Sequence, residues 1–347
     1  MLRNPRDARA PYYLGNLFYD RRRHQEAIAL WKRATRLDPH FSIAWRNLGI
    51  GLFNIAKQPA KARADYDHAC RANPQDARLV FERDQLWKRL GVAPAARLKE
   101  LEKHPALIAQ RDDLSVEFCA LCNQVGRHSN ALTILSARKF QPWEGGEGQA
   151  LGQHVRTHLA LGRQALAGKD ATGARGHFEQ ALTSPPNLAE AKHLLANQSD
   201  IHYWLGMALG QMGDRMGAKR NWKRSAEFRG DFQEMSVRAF SEMTYFSALS
   251  LKRLGDTAAA QKLLRELLAY GRQLARTPAR LDYFATSLPT MLLFDDDIQY
   301  RQETAALYLQ AQALLGLGRR KQAREMIGAV LKRDPNHPQA CHLLDPE

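Results

Sequence analysis

The sequence predicts an all-α chain, a stack of about eight helical hairpins broken by irregular insertions. Two observations predict it. Small residues, large apolar residues and proline recur with a period near 34 residues, the length of one helix–turn–helix unit. No segment alternates in the manner of a half-buried strand, so no β-strand is read.

The first unit carries Leu14, Gly15, Phe18, Ala27, Trp31, Ala34 and Pro39. The second repeats the set as Trp45, Leu48, Gly49, Leu52, Ala62, Tyr66, Ala69 and Pro74, with one residue inserted near Pro59. Glycine and alanine let paired helices approach, and the large residues fill the space between them as ridges enter grooves. Proline closes the second helix because it cannot donate to the helical ladder. A third first helix is read from Leu86, Trp87, Leu90 and Gly91, with a short partner from Ala95 to His104. Phe118, Cys119, Cys122, Gly126, Ala131 and Leu135 give a fourth unit, and Leu161, Gly162, Ala165, Ala174, Phe178, Ala181 and Pro186 a fifth. The sixth rests on Leu205, Gly206, Leu209, Gly213, Ala218 and Trp222, and the seventh on Ala248, Leu251, Gly255, Ala260, Leu264 and Leu267. Ala311, Leu314, Gly318, Ala323, Ile327, Val330 and Pro335 complete the eighth.

These residues resemble the tetratricopeptide repeat (TPR) family over nearly the whole chain, most specifically in the first, second, fifth, sixth and eighth units. The resemblance implies a right-handed superhelix, an α-solenoid whose first helices line an inner groove. It divides the chain into TPR-like units over 1–140, a Trp/Gly/Glu-rich insertion over 141–154, and TPR-like units over 155–347 with a long loop near 276–299. The insertions, with the run from Asn197 to Gly206, also resemble a narrower group of uncharacterised bacterial proteins. In that group a β-sandwich-rich N-terminal region precedes the TPR array. Solenoids usually carry polar caps, and the first repeat here begins almost at once. The expectation is therefore a C-terminal part of a longer polypeptide, with a free start at Met1 as the competing explanation.

Of the 347 residues, 51 are Lys or Arg and 36 are Asp or Glu, a formal net charge of +15. Such an excess favours acidic partners through long-range attraction. The basic residues gather in the turns between paired helices, at Arg21 to Arg23, Lys57, Arg127, Lys169, Arg215 and Arg319 to Lys321, and on the face of Lys219, Arg220, Lys223 and Arg224. No nucleic-acid fold or base-stacking motif accompanies them, so a solvated face is preferred to nucleic-acid binding. The first ten residues lack a secretory core, and no run of about 20 apolar residues suggests a membrane span. Cys70, Cys119, Cys122 and Cys341 are too few for a disulfide framework, which points to a reducing, cytoplasmic setting. Cys119 and Cys122 fall where small packing residues belong, and a zinc site would want two more ligands.

One helical face of the first helices collects the binding candidates. Tyr12, Tyr203, Tyr245 and Tyr308 share one position, and Asp200 and Glu242 share another. A C-terminal groove with a tyrosine row beside two carboxylates is expected, suited to a ligand of mixed polarity. Packing tyrosines and solvated acids are the plainer alternative. The insertions add Trp143, Glu144 and Glu147 on a glycine-rich loop, and Asp231 and Glu234 at a helix entrance. Aromatic and acidic groups together suit a carbohydrate, although the glycines also serve to turn the chain and Asp231 to cap a helix. Asp295 to Asp297 lacks the alternating ligands of a calcium loop and reads as a helix cap before Ile298.

Some TPR arrays hold a peptide's C-terminal carboxylate with two asparagines and three basic residues. At the matching positions this chain has Tyr12, Asn16, Asn47, Arg78 and Glu82, and Glu82 reverses a required charge. That role is rejected. The chain carries no recognisable catalytic motif and calls for no cofactor or metal. The expected function is a scaffold that binds a protein or peptide partner, itself, or an attached N-terminal region; the alternative is a C-terminal groove that forms part of a carbohydrate-binding or carbohydrate-acting enzyme.

Overall fold

A computed structural model describes residues 6–143, 145–233, 236–280 and 293–343. The described residues form seventeen α-helices, paired along the chain. The pairs are α1 (Arg9–Asp20) with α2 (His24–Leu37), α3 (Ser42–Asn54) with α4 (Pro59–Ala72), and α5 (Ala77–Arg89) with α6 (Pro94–Leu101), followed by the single turn α7 (Pro105–Ile108). Then come α8 (Asp112–Gln124) with α9 (His128–Ala137), α10 (Gln149–Ala167) with α11 (Ala171–Ala181), and α12 (Ser199–Gln211) with α13 (Arg215–Glu227). The last two pairs are α14 (Met243–Arg253) with α15 (Thr257–Leu274), and α16 (Ile298–Gly316) with α17 (Arg320–Arg333). No helix among the described residues is long and apolar enough to cross a membrane.

Each hairpin closes by the same device. The chain leaves the first helix through a residue of positive φ: Arg22, Lys57, Gly91, Gly126, Lys169, Gly213, Gly255 and Gly318 in turn. A left-handed residue just past a helix lets the next backbone N–H groups reach orphan carbonyls of the last turn. Arg23 N donates to Phe18 O, and Asp170 N donates to Ala165 O. Inside the hairpins, a glycine of the first helix faces a large ring of the second. A Cβ on Gly15, Gly49, Gly162 or Gly206 would lie 2.4–2.8 Å from Trp31, Tyr66, Phe178 or Trp222. Ala27, Ala62 and Ala174 are fully buried beside these contacts.

The third hairpin is held differently, which explains its faint repeat pattern. Arg97 of α6 is fully buried and donates through Nε and Nη2 to the Asp84 carboxylate of α5, at 3.0 and 2.5 Å. Arg83 reaches Glu100 at 2.8 Å, and its guanidinium lies 5.2 Å from the Trp87 ring. Charge pairing here replaces the small-against-large packing of the first, second, fifth and sixth hairpins.

The chain divides into two compact units, residues 1–115 with 290–296, and residues 116–289 with 297–347. Helix α10 begins at Gln149, inside the expected insertion, and packs on α9. The boundary falls within α8.

A short antiparallel ribbon, β1 (Asp231–Gln233) with β2 (Ser236–Arg238), stands where no strand was expected. Asp231 pairs with Arg238 and Phe232 with Val237. Three residues per strand are too few for alternation to register in the sequence. The ribbon holds the loop before α12, since Phe232 stacks on His193 at 3.8 Å and Asn197 Nδ2 donates to Gly230 O. The expected cap at Asp297 is present, its carboxylate accepting from Tyr300 N at 2.9 Å. Cys119 and Cys122 are fully buried, and burial pushes the Cys119 thiol upward.

Candidate functional site

In the second unit, α12, α13 and α14 approach closely through buried serines. Ser199 Oγ meets Ser247 Oγ at 2.8 Å, Ser225 Oγ donates to Ser199 O, and Ser250 Oγ donates to Ser225 Oγ. Short hydroxyl side chains bring these helices together while satisfying one another in the interior. That approach decides where the expected tyrosine row lies.

Tyr203, Tyr245 and Tyr308 are 1%, 4% and 5% exposed. Tyr203 packs on Trp204 and Phe246, Tyr245 on Phe246, and Tyr308 on His337 at 4.6 Å. The row is therefore packed between helices and presents no open ring face on which a sugar could stack. Residues with apolar bodies fill the gaps that small serines leave. Asp200 is buried as well, and its Oδ1 accepts from Ile201 N at 2.8 Å. Burial pushes its carboxyl up to about 7, against the pull of Lys192. Lys192 in turn is pushed down to about 8 by burial; its Nζ donates to Ala181 O and to Gln198 Oε1.

Glu242 is half-buried at the start of α14. Its backbone carbonyl accepts from Gln312 Nε2 at 3.2 Å, while Gln312 Oε1 is buried without a hydrogen-bond partner among the described residues. Arg156 of α10 lies within electrostatic range of Glu242, Cys341, Tyr308 and Glu117. Among the described residues its guanidinium makes no hydrogen bond and no ion pair. Loss of solvent draws its pKa down from the ordinary value, with Glu242 acting in the opposite direction. A guanidinium stays charged at any ordinary pH and carries five N–H donors. His337 shares this surrounding; burial lowers it, and Arg156 adds to that effect.

Arg156, Gln312 and His337 were not legible as site residues. Arg156 lies five residues ahead of the first repeat residue recognised in its helix, Leu161, and only folding brings it within electrostatic range of Glu242.

The insertions serve other purposes. Trp143 covers Gly146, where a Cβ would meet the ring at 1.9 Å. The acid that matters there is Glu190, whose carboxylate accepts from Gly148 N and Leu151 N at 2.9 and 2.8 Å and so caps α10 from a distant loop. Glu147 is exposed, and Glu144 lies outside the described residues. Asp231 is buried in β1 and accepts from Asn197 N at 2.9 Å, so it belongs to the ribbon and not to a helix entrance or cap. Glu234 also lies outside the described residues.

In the first unit Glu82 accepts from Arg46 at 2.5 and 2.7 Å and from Arg78 at 2.7 Å, and Tyr66 Oη donates to it at 3.2 Å. Asn47 Nδ2 and Trp31 Nε1 both donate to Asn16 Oδ1. The chain's own carboxylate thus holds the cations that a bound carboxylate would need, in keeping with the rejected clamp.

Comparison with known proteins gives tetratricopeptide-repeat matches at both ends. One tetratricopeptide-repeat family model matches residues 2–40 and 12–77, and a second matches 305–337. The chain carries tetratricopeptide repeats there. Among solved structures it is similar to YrrB, described as a TPR protein with an unusual peptide-binding site, at 16% identity over 64% of this chain and 94% of that one, TM-score 0.38. It is similar to PilW, a type IV pilus biogenesis factor, at 15% identity over 62% and 91%, TM-score 0.32. The Naa15/Naa10 structure bound to HypK-THB matches at 15% identity over 96% and 54%, TM-score 0.41.

Proposed function

We propose that the chain is a protein- or peptide-binding scaffold, and that its second unit receives an acidic group of a partner at Arg156. Tyr308, with Tyr245 near it, lies behind that point, and Glu242 and His337 stand around it. The single observation that carries the reading is the Arg156 guanidinium, half-buried and charged, with no hydrogen bond among the described residues. A carboxylate matches a guanidinium best, with two parallel charge-assisted bonds. The net charge of +15 supports an acidic partner by drawing it in.

The test is a randomised array of acidic peptides probed with the whole chain, followed by titration of the tightest binder against Arg156→Met. A hydrogen bond to a charged group contributes roughly 1.5–3 kcal/mol. Affinity should therefore drop about ten-fold or more, with the melting temperature unchanged. An array without a binder, or a variant that binds equally well, refutes the reading.

A further inference from the structure

Between α15 and α16 the chain contributes a short segment to the first unit, although both helices belong to the second. Of its described residues 293–296, Leu293, Phe294 and Asp295 sit at the C-terminal end of α3. Phe294 is 1% exposed. Its ring meets Phe53 edge-on at 5.3 Å and Tyr66 at 5.5 Å, and Arg89 lies 5.8 Å from its centre. Leu52 and Leu86 belong to the same apolar cluster. The backbone on either side of Phe294 is read by one side chain. Asn54 Nδ2 donates to Leu293 O at 3.0 Å, and Asp295 N donates to Asn54 Oδ1 at 2.9 Å. Lys57 Nζ then pairs with Asp295 Oδ2 at 2.8 Å.

We propose that this pocket is a recognition site for a short peptide of apolar–Phe–Asp sequence, and that residues 293–295 are its resident ligand, exchangeable for a partner segment of the same chemistry. Three features distinguish it from an ordinary core contact. An aromatic anchor enters a ring-lined pocket, the pattern of a binding hot spot. A single asparagine satisfies both a carbonyl and an N–H of the bound backbone, which recognises main chain independently of side chains. The last contact is a pair more than half exposed on both sides, which holds little energy and leaves that end of the segment free to start peeling away. Tyr66, one wall of the pocket, is also held by contacts outside the segment. Tyr66 is fully buried, its ring lies against Gly49, and its hydroxyl bonds Glu82.

The probe is a fluorescently labelled peptide of residues 291–297, followed by anisotropy against the full chain. A tethered competitor acts at an effective concentration in the millimolar range. The native chain should therefore bind the peptide weakly, and Phe294→Ala, which empties the pocket, at least about ten-fold more tightly. Adding Asn54→Ala to that variant should abolish binding, as should alanine for phenylalanine in the peptide. Phe294→Ala with native helical content but no gain in affinity overturns the proposal. Should Phe294→Ala fail to fold, Asp295→Lys decides, because it sets two lysines against each other while leaving the ring seated. It must raise affinity for the peptide about two-fold or more, the scale of an exposed ion pair, and an unchanged affinity overturns the proposal. Neither variant touches Arg156, so the outcome is independent of the acidic-partner reading.

Discussion

Replacing Gly162 with alanine should destabilise the chain by about 2 kcal/mol, although alanine is the better helix former. The added Cβ would lie 2.4 Å from Phe178 Cε1, 2.7 Å from Cζ and 2.8 Å from Cδ1. Carbon atoms rest comfortably at about 3.5 Å or more, so the ring must retreat by roughly 1 Å. It has nowhere to go, because Phe178, Ala174 and Ala181 are all fully buried. Overpacking of this kind costs roughly 1–3 kcal/mol, and a ring that cannot move sets the upper end. Exchanging glycine for alanine within a helix returns about 1 kcal/mol, leaving the net loss. Gly176 in the partner helix is the internal control. A Cβ there meets nothing within 4 Å, so Gly176→Ala should stabilise by up to about 1 kcal/mol. Urea denaturation followed by far-ultraviolet circular dichroism measures both. The double variant Gly162→Ala with Phe178→Leu should recover about 1 kcal/mol relative to the sum of the single losses, since the two residues share one contact. Strict additivity, or a Gly162→Ala chain more stable than the parent, would refute the packing argument.

Two further outcomes follow from buried charge. Asp84→Ala removes the carboxylate paired with the fully buried Arg97 and should cost roughly 3–5 kcal/mol in chemical denaturation, while adding Arg97→Leu should restore much of it. The pH dependence has two opposed limbs. Burial pushes His128 and His158 down to about 4 from 6.5, so the unfolded chain takes up protons first as pH falls. Their stabilisation is present above pH 6.5 and is lost as pH falls towards 4, and His158→Gln should flatten that limb of a melting-temperature profile. Asp65 and Asp200 are raised to about 7 from 3.8, so their contribution is full below pH 3.8 and is lost as pH rises through 7. Asp200→Asn should accordingly raise the melting temperature at pH 8 and leave it unaltered near pH 4.

Much of the hairpin architecture was legible because it rests on contacts local in sequence. Gly15 with Trp31, Gly49 with Tyr66, Gly162 with Phe178 and Gly206 with Trp222 are set by the size of side chains one helix apart. The third hairpin left a fainter trace, because Arg97 and Asp84 pair by charge where the first, second, fifth and sixth pack by volume. Less of the candidate site could be read. The face shared by Tyr203, Tyr245 and Tyr308 was evident, but not how far it is covered. That depends on serines of α12, α13 and α14 meeting one another, a property of three helices together.

By itself the sequence determined the pairing of the helices, their turns and the buried place of Cys119 and Cys122, since each follows from residues within one repeat. Only the tertiary structure decided that Arg156 comes within electrostatic range of Glu242, that Asp231 enters a ribbon, and that Phe294 sits under Asn54, 240 residues before it in the chain. Contacts of such separation carry no periodic signature. They arise where surfaces left over from local folding happen to complement each other, and their residues owe their roles to shape and charge at that meeting.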